Sequence, residues 1–171
     1  MTSTSSARDI FVDGLRNAHA MEKQALSIME PQLKRLQHYP EVSAMLEQHI
    51  RETEGQIDRL DTILGGLAEG SSTLKDMSLS FTGTMAAVTH SMASDEILKN
   101  SFANHAFENF EIAAYTSLIT VAEECGATDA LQLLRLSLDE ERKMAESIED
   151  SLPAVTRKFL QLSASSERAD I

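Results

Sequence analysis

Cysteine occurs once in the chain, at Cys125. A lone thiol excludes an internal disulfide and any thiolate-rich metal centre, and it makes a reducing cytoplasm the default compartment. Standing before Gly126, Cys125 reads as a packing residue at a helix end. Proline occurs 3 times and aromatics make up 5% of the residues, which suits an all-helical bundle. No apolar run approaches a membrane span, so no membrane partner is expected. Met1 to Ala7 is rich in Ser and Thr, shows no secretory signal and is expected to be a disordered tail, as is polar Ser163 to Ile171. Basic residues are scarce: 15 Lys and Arg face 27 Asp and Glu, a net charge of -12 that argues against nucleic acid. There is no glycine-rich phosphate loop, no placeable Ser/His/Asp set and no Cys/His zinc pattern.

What the chain does have is glutamate on apolar seams. Glu22 lies in Phe11, Leu15, Ala18, Glu22, Ala25, Met29; Glu52 in Val42, Met45, His49, Glu52, Gln56, Leu60. Glu111 lies in Ile97, Phe107, Glu111, Ala114, Leu118, Ala122; Glu141 in Leu131, Leu134, Leu138, Glu141, Ala145, Ile148. Steps of three and four mark one helix face. Four carboxylates facing one core are costly unless a cation joins them. One inward Glu per helix is the pattern of a carboxylate-bridged dimetal bundle. The bland alternative is that some of the four are boundary residues reaching solvent.

The spacing organises the chain as two hairpins, since 52 − 22 and 141 − 111 both equal 30. Helix 1 is expected over about Arg8 to Gln37, stopped by Tyr39-Pro40, and helix 2 over Pro40 to Leu64, ending at Gly65-Gly66 or Gly70. Helix 3 is expected from Ser94 to Gly126, and helix 4 from Thr128 to about Ser151, before Pro153. A short C-terminal helix, Val155 to Leu162, would cover one end. Ser71 to Ala93 is too apolar for a free linker and is expected as a helical crossover that makes helices 2 and 3 parallel. The expectation is a single ferritin-like four-helix domain over residues 8–162.

His49 precedes Glu52 by three residues on one helix face, so that His and that Glu can touch the same ion; Gln56 follows Glu52 by four, and Glu108 precedes Glu111 by three. His19-x-x-Glu22 repeats the spacing more weakly, and His105-x-x-Glu108 reads as coincidence. Many di-iron bundles place His one turn after Glu; here Gly55 and Met144 occupy those places. A site of Glu22, Glu52, Glu108, Glu111, Glu141, Gln56 and His49 is rich in oxygen, which favours harder ions such as Fe, Mn or Mg. Tyr115, one turn after Glu111, is either a partner for a ligand carboxylate or a core aromatic. Glu140 and Arg59 read as surface charge.

These residues resemble the YciE/YciF family of bacterial ferritin-like proteins. The resemblance spans about Asp9 to Leu152. It is carried by Glu22-Lys23-Gln24, by His49 with Glu52-Thr53, Gly55-Gln56 and Arg59-Leu60, by Phe110-Glu111-Ile112-Ala113 with Tyr115, and by Leu138-Asp139-Glu140-Glu141. It implies a rubrerythrin-like bundle, a homodimer and a stress-associated cytoplasmic role; a ferroxidase label is sometimes attached to the family. Relatives often have His-Tyr before Glu111, where this chain has Asn109-Phe110, which weakens any ligand role at 109. Two functions are in view. One is an oxidoreductase with two irons per chain, or manganese or another divalent ion, with Glu22 and Glu111 terminal and Glu52 and Glu141 bridging. The other is a non-catalytic stress oligomer in which metal or a Glu cluster is only structural. Iron storage in a cage is a weaker third.

Overall fold

The computed structural model describes residues 6–68, 95–165 and 168–171. Helix α1 spans Ala7–Arg35, α2 Pro40–Ala68, α3 Glu96–Glu124 and α4 Leu131–Ala164, with a 3-10 turn at Thr128–Ala130. The all-helical class read from the sequence is what is found. The expected crossover, Ser71 to Ala93, lies outside the described residues.

Local chemistry sets the boundaries. Ser6 accepts the Asp9 backbone N–H at 3.2 Å and Asp9 accepts that of Ser6 at 3.0 Å, a reciprocal cap that starts α1 at Ala7. Pro40 opens α2, where a missing N–H costs nothing. Gly126 adopts φ 73°, and Ala127 N–H reaches back to Ala122 O at 2.8 Å. That left-handed cap ends α3, as a side chain there would be strained.

Two expectations need correction. Helix 4 does not stop before Pro153, and Val155 to Leu162 is not a separate helix; α4 runs through Pro153 to Ala164. An interior proline costs about 3 kcal/mol. Continuation of the seam offsets that loss, with Val155 fully buried and Phe159 and Leu162 packed on the core. The extreme C-terminus is also not loose. Ala169 and Ile171 are buried, Tyr39 Oη donates to Ala169 O at 2.6 Å, and Ile97 N–H donates to Asp170 O at 2.9 Å.

Contacts between helices fix their directions. On the α1/α3 side, Glu22 meets Tyr115, Gln32 meets Asn104 and Arg35 meets Glu96, so these helices are antiparallel. On the α2/α4 side, Lys158 meets Glu41 and Arg59 meets Ser137, again antiparallel. His19 meets Asp61 across α1 and α2, and Glu123 meets Arg135 across α3 and α4. Helices α2 and α3 therefore run the same way, the connectivity of a ferritin-like bundle. Close approach of α1 to α3 uses Gly14, where an added Cβ would lie 2.8 Å from Leu118 Cδ1. The core is apolar towards both ends, with Phe11, Leu15 and Leu134 in one half and Met29, Leu46 and Ile148 in the other.

Candidate metal centre

Between those apolar halves the seams turn polar. Glu22, His49, Thr53, Gln56, Glu108, Glu111, Tyr115 and Glu141 are all buried. One donor atom from each of His49, Glu108, Glu111 and Glu141 lies within 4.8 Å of the others. An ion bound at about 2.1 Å would hold opposite ligand atoms roughly 4.2 Å apart, so this cluster can hold a metal ion after a small contraction.

Helix α2 presents His49 between two carboxylate environments. Its Nδ1 is 3.3 Å from Glu52 Oε2; its Nε2 is 3.1 Å from Glu108 Oε2 and 3.5 Å from Glu141 Oε2. The latter two contacts lack the alignment of hydrogen bonds, and Nε2 has no bonding partner among the described residues. Glu22 Oε2, Gln56 Oε1, Glu108 Oε2, both oxygens of Glu111 and Glu141 Oε2 are likewise sealed from solvent and unbonded. Buried polar atoms are ordinarily paired, so a cluster of unbonded donors calls for a bridging ion or water. The donor set, carboxylates with one imidazole and one amide, suits a hard or borderline cation.

The remaining atoms of these side chains are held in place. Tyr115 Oη donates to Glu22 Oε1 at 2.6 Å. Gln56 Nε2 donates to Glu141 Oε1 and, at 3.1 Å, to Glu140 Oε2. Gln48 Nε2 donates to Glu52 Oε1 at 2.9 Å.

Electrostatics follow from crowding. Burial pushes the Glu22 carboxyl up to about 7, against the Tyr115 hydrogen bond and the nearby His49. Burial pushes Glu111 well above the carboxylate range, reinforced by Glu22, Glu141 and Glu108. Glu141 is also raised well above it by burial, partly opposed by His49. Burial would lower His49, but the Glu108 and Glu52 carboxylates outweigh it and hold the imidazole well above its usual value. Glu52 is lowered by its hydrogen bond to His49. Burial and Glu22 raise Tyr115 well above the usual phenol range.

Of the residues singled out in the sequence, Glu22, Glu108, Glu111, Glu141, His49 and Gln56 lie together in the buried layer. Glu52 does not share it: its side chain is 28% exposed and faces the outer nitrogen of His49, while Thr53 takes the inward position on α2. His19 turns away to Asp61, 3.1 Å distant. The His105 ring lies beside Asn109 on its own helix, Nε2 3.5 Å from Asn109 Nδ2. His90 is outside the described residues. The sequence reading missed Arg59 and Glu140, which form an ion pair beside Gln56 with side chains only 17% and 15% exposed. The i, i+3 relation of Arg59 to Gln56 and the contiguity of Glu140 with Glu141 were the available signals, and both are common on solvated faces.

A bundle with parallel second and third helices and a carboxylate–imidazole cluster at mid-length is a ferritin-like protein. The chain belongs to the family described as a domain of unknown function, DUF892, which matches residues 6–161 and to which the YciE/YciF proteins are related. It is 30% identical to Protein YciF of Escherichia coli K12 over 142 residues, covering 78% of this chain and 82% of YciF. The crystal structure of that E. coli stress protein aligns at TM-score 0.70 and 27% identity, over 87% of this chain and 96% of the other. A Xanthomonas campestris pv. campestris protein aligns at TM-score 0.77 and 31% identity, over 94% of this chain and 99% of the other. YcfI of Rhodopseudomonas palustris shares the fold, at TM-score 0.69 and 23% identity over 86% and 96% of the two chains.

Proposed function

We propose that the buried layer is a carboxylate-rich dimetal centre, with iron as the favoured ion and manganese as the alternative, in a stress-associated cytoplasmic oxidoreductase that oxidises Fe(II) or reduces peroxide. The observation that carries this reading is the set of unbonded buried atoms on Glu22, His49, Gln56, Glu108, Glu111 and Glu141. His49, Glu108, Glu111 and Glu141 would hold one ion. Glu22, with Gln56 and the second oxygen of Glu111, would serve a second. When bound, such an ion pair supplies redox electrons and Lewis-acid activation of dioxygen or peroxide.

The protein's part is positioning. Tyr115 fixes one oxygen of Glu22 and leaves the other free. Glu52 Oε2, 3.3 Å from His49 Nδ1, would accept its proton and leave Nε2 facing inward as the ligand atom; Glu52 would then be an orienting carboxylate in place of the bridging ligand expected from the sequence. Apolar layers above and below exclude water and strengthen every charge interaction inside. Among the described residues no helix is long and apolar enough to cross a membrane. A homodimer is part of the proposal; the candidate contact residues Leu79, Phe81 and Met85 lie outside the described residues.

Metal analysis of protein purified without chelator should find iron or manganese, and stripped protein given Fe(II) in air or with peroxide should oxidise it faster than buffer. Glu111→Ala should abolish the gain. No metal retention and no rate above buffer would favour the non-catalytic stress oligomer, with the Glu layer as a structural element.

A further inference from the structure

Beside the buried layer, Arg59, Glu140 and Ser137 form a second polar group that the proposed ligand set does not use. Arg59 Nε donates to Ser137 Oγ at 3.1 Å, and its terminal nitrogen pairs with Glu140 Oε2. That same Glu140 oxygen accepts from Gln56 Nε2 at 3.1 Å, while Gln56 Nε2 also donates to Glu141 Oε1 inside the layer. Neighbouring residues on α4 point about 100° apart. Gln56 spans that angle, so one amide nitrogen joins an outer carboxylate to an inner one.

An amide offers hydrogens on one side and an oxygen on the other. Two ionised carboxylates, the form a bound cation favours, only accept, so together they hold the nitrogen of Gln56 between them and turn its oxygen elsewhere. That oxygen is buried and unbonded. The inner bond also occupies Glu141 Oε1 and leaves only Oε2 open to an ion. With Glu140 removed, Gln56 loses one of its two anchors; with Arg59 removed, Glu140 loses the charge that holds it over Gln56.

We infer that Arg59 and Glu140 are positioning residues for the metal centre: they lock the Gln56 amide so that its oxygen serves as a neutral donor and Glu141 binds through one oxygen. This rests on the dimetal reading above.

The test is a Co(II) titration of chelator-stripped full-length protein, read by visible absorption and by melting temperature. Wild type, Glu140→Ala, Arg59→Ala, the double variant, Glu140→Gln and Arg59→Lys are compared. Each Ala variant should weaken Co(II) binding roughly 10- to 100-fold, as loss of such outer partners does. The absorption band should also shift as a donor is lost. The double variant should be no weaker than the poorer single, because both act through Gln56. Glu140→Gln keeps an acceptor for Gln56 and should recover part of the affinity, which also serves if an Ala variant unfolds. Unchanged affinity and band in Glu140→Ala would overturn the inference. So would wild-type affinity in the double variant, because Arg59 would then be competing with the ion. A lower melting temperature with an unchanged Co(II) spectrum would mark the pair as purely structural and also overturn it. Failure of the wild type to bind Co(II) at all would instead defeat the metal reading itself.

Discussion

Two buried polar groups sit a few turns apart in this bundle, and they are built on opposite plans. Near the α1 C-terminus, Gln32 and Asn104 exchange hydrogen bonds at 3.3 and 2.8 Å, and Arg35 grips Glu96 through two nitrogens at 2.9 and 2.6 Å. Each exposed need is met by a neighbour, so this group closes on itself. At mid-bundle, carboxylates crowd an imidazole and leave inward atoms unbonded. A closed polar pair fixes helix register; a crowd of buried carboxylates is tolerated only with protons or a cation. The contrast separates a polar group that satisfies itself from one left open within the same set of helices.

The largest effect that would sharpen this contrast is pH-dependent. The folded state raises Glu22 from 4.5 to about 7, so the native chain keeps a proton that the unfolded chain has released. Stability of metal-stripped protein should therefore be greatest below about pH 4.5 in this respect and fall as pH rises through 7. The loss is on the order of 3 kcal/mol from Glu22 alone. Raised Glu111, Glu141 and His49 act in the same direction. Urea unfolding at pH 5 and pH 8 checks this; equal stabilities would mean the layer is not strained by its charges.

Metal should reverse that sign. At 100 times its Kd, Mn(II) should add about 2.7 kcal/mol, or roughly 5–10 °C in melting temperature, at pH 8. At pH 5 the gain should shrink, because protons occupy the donor oxygens. Glu111→Gln should raise the stability of stripped protein at pH 8 and remove most of the Mn(II) response. A variant that lost stability without metal would contradict the repulsive reading.

The closed group should respond in the ordinary direction. Arg35→Ala strands Glu96 beneath the surface and should cost about 2 kcal/mol, less than a fully buried pair because Arg35 reaches solvent. Mn(II) should not alter that cost, as double-mutant comparison with Glu111→Gln would show. Smallest of all, Gln32→Leu with Asn104→Leu should stay within about 1 kcal/mol of wild type, since both partners leave together. A large loss there would show that the amide pair does more than set register.

How far the sequence could be read is clearest on α2. Positions 49 and 56 define an inward line, and residues 52 and 53 each fall about 50° from it, on opposite sides. Periodicity alone cannot choose between them. The bundle chooses Thr53, which is fully buried, and leaves Glu52 on the rim beside His49. The burial of Glu22, Glu111 and Glu141 was readable because their apolar neighbours surround them on both sides of the seam. Glu108 was readable only as a turn-mate of Glu111. Proline 153 misled, because the cost of a missing hydrogen bond is local while the burial of Val155 that offsets it belongs to the whole bundle.

The sequence by itself determined the helical class, the pairing into hairpins and the presence of carboxylates where a core is expected. Those follow from residue type and from a period measured along one helix axis. Only the tertiary structure decided which donor atoms meet, that Glu52 lies on the rim beside His49, that Arg59 and Glu140 back Gln56, and that the C-terminus is tied to Tyr39 and Ile97. The reason is geometric. Spacing gives a side chain's angle about its own helix, whereas contact depends on how each helix is rotated and shifted against its neighbours, which the packing of the whole core sets.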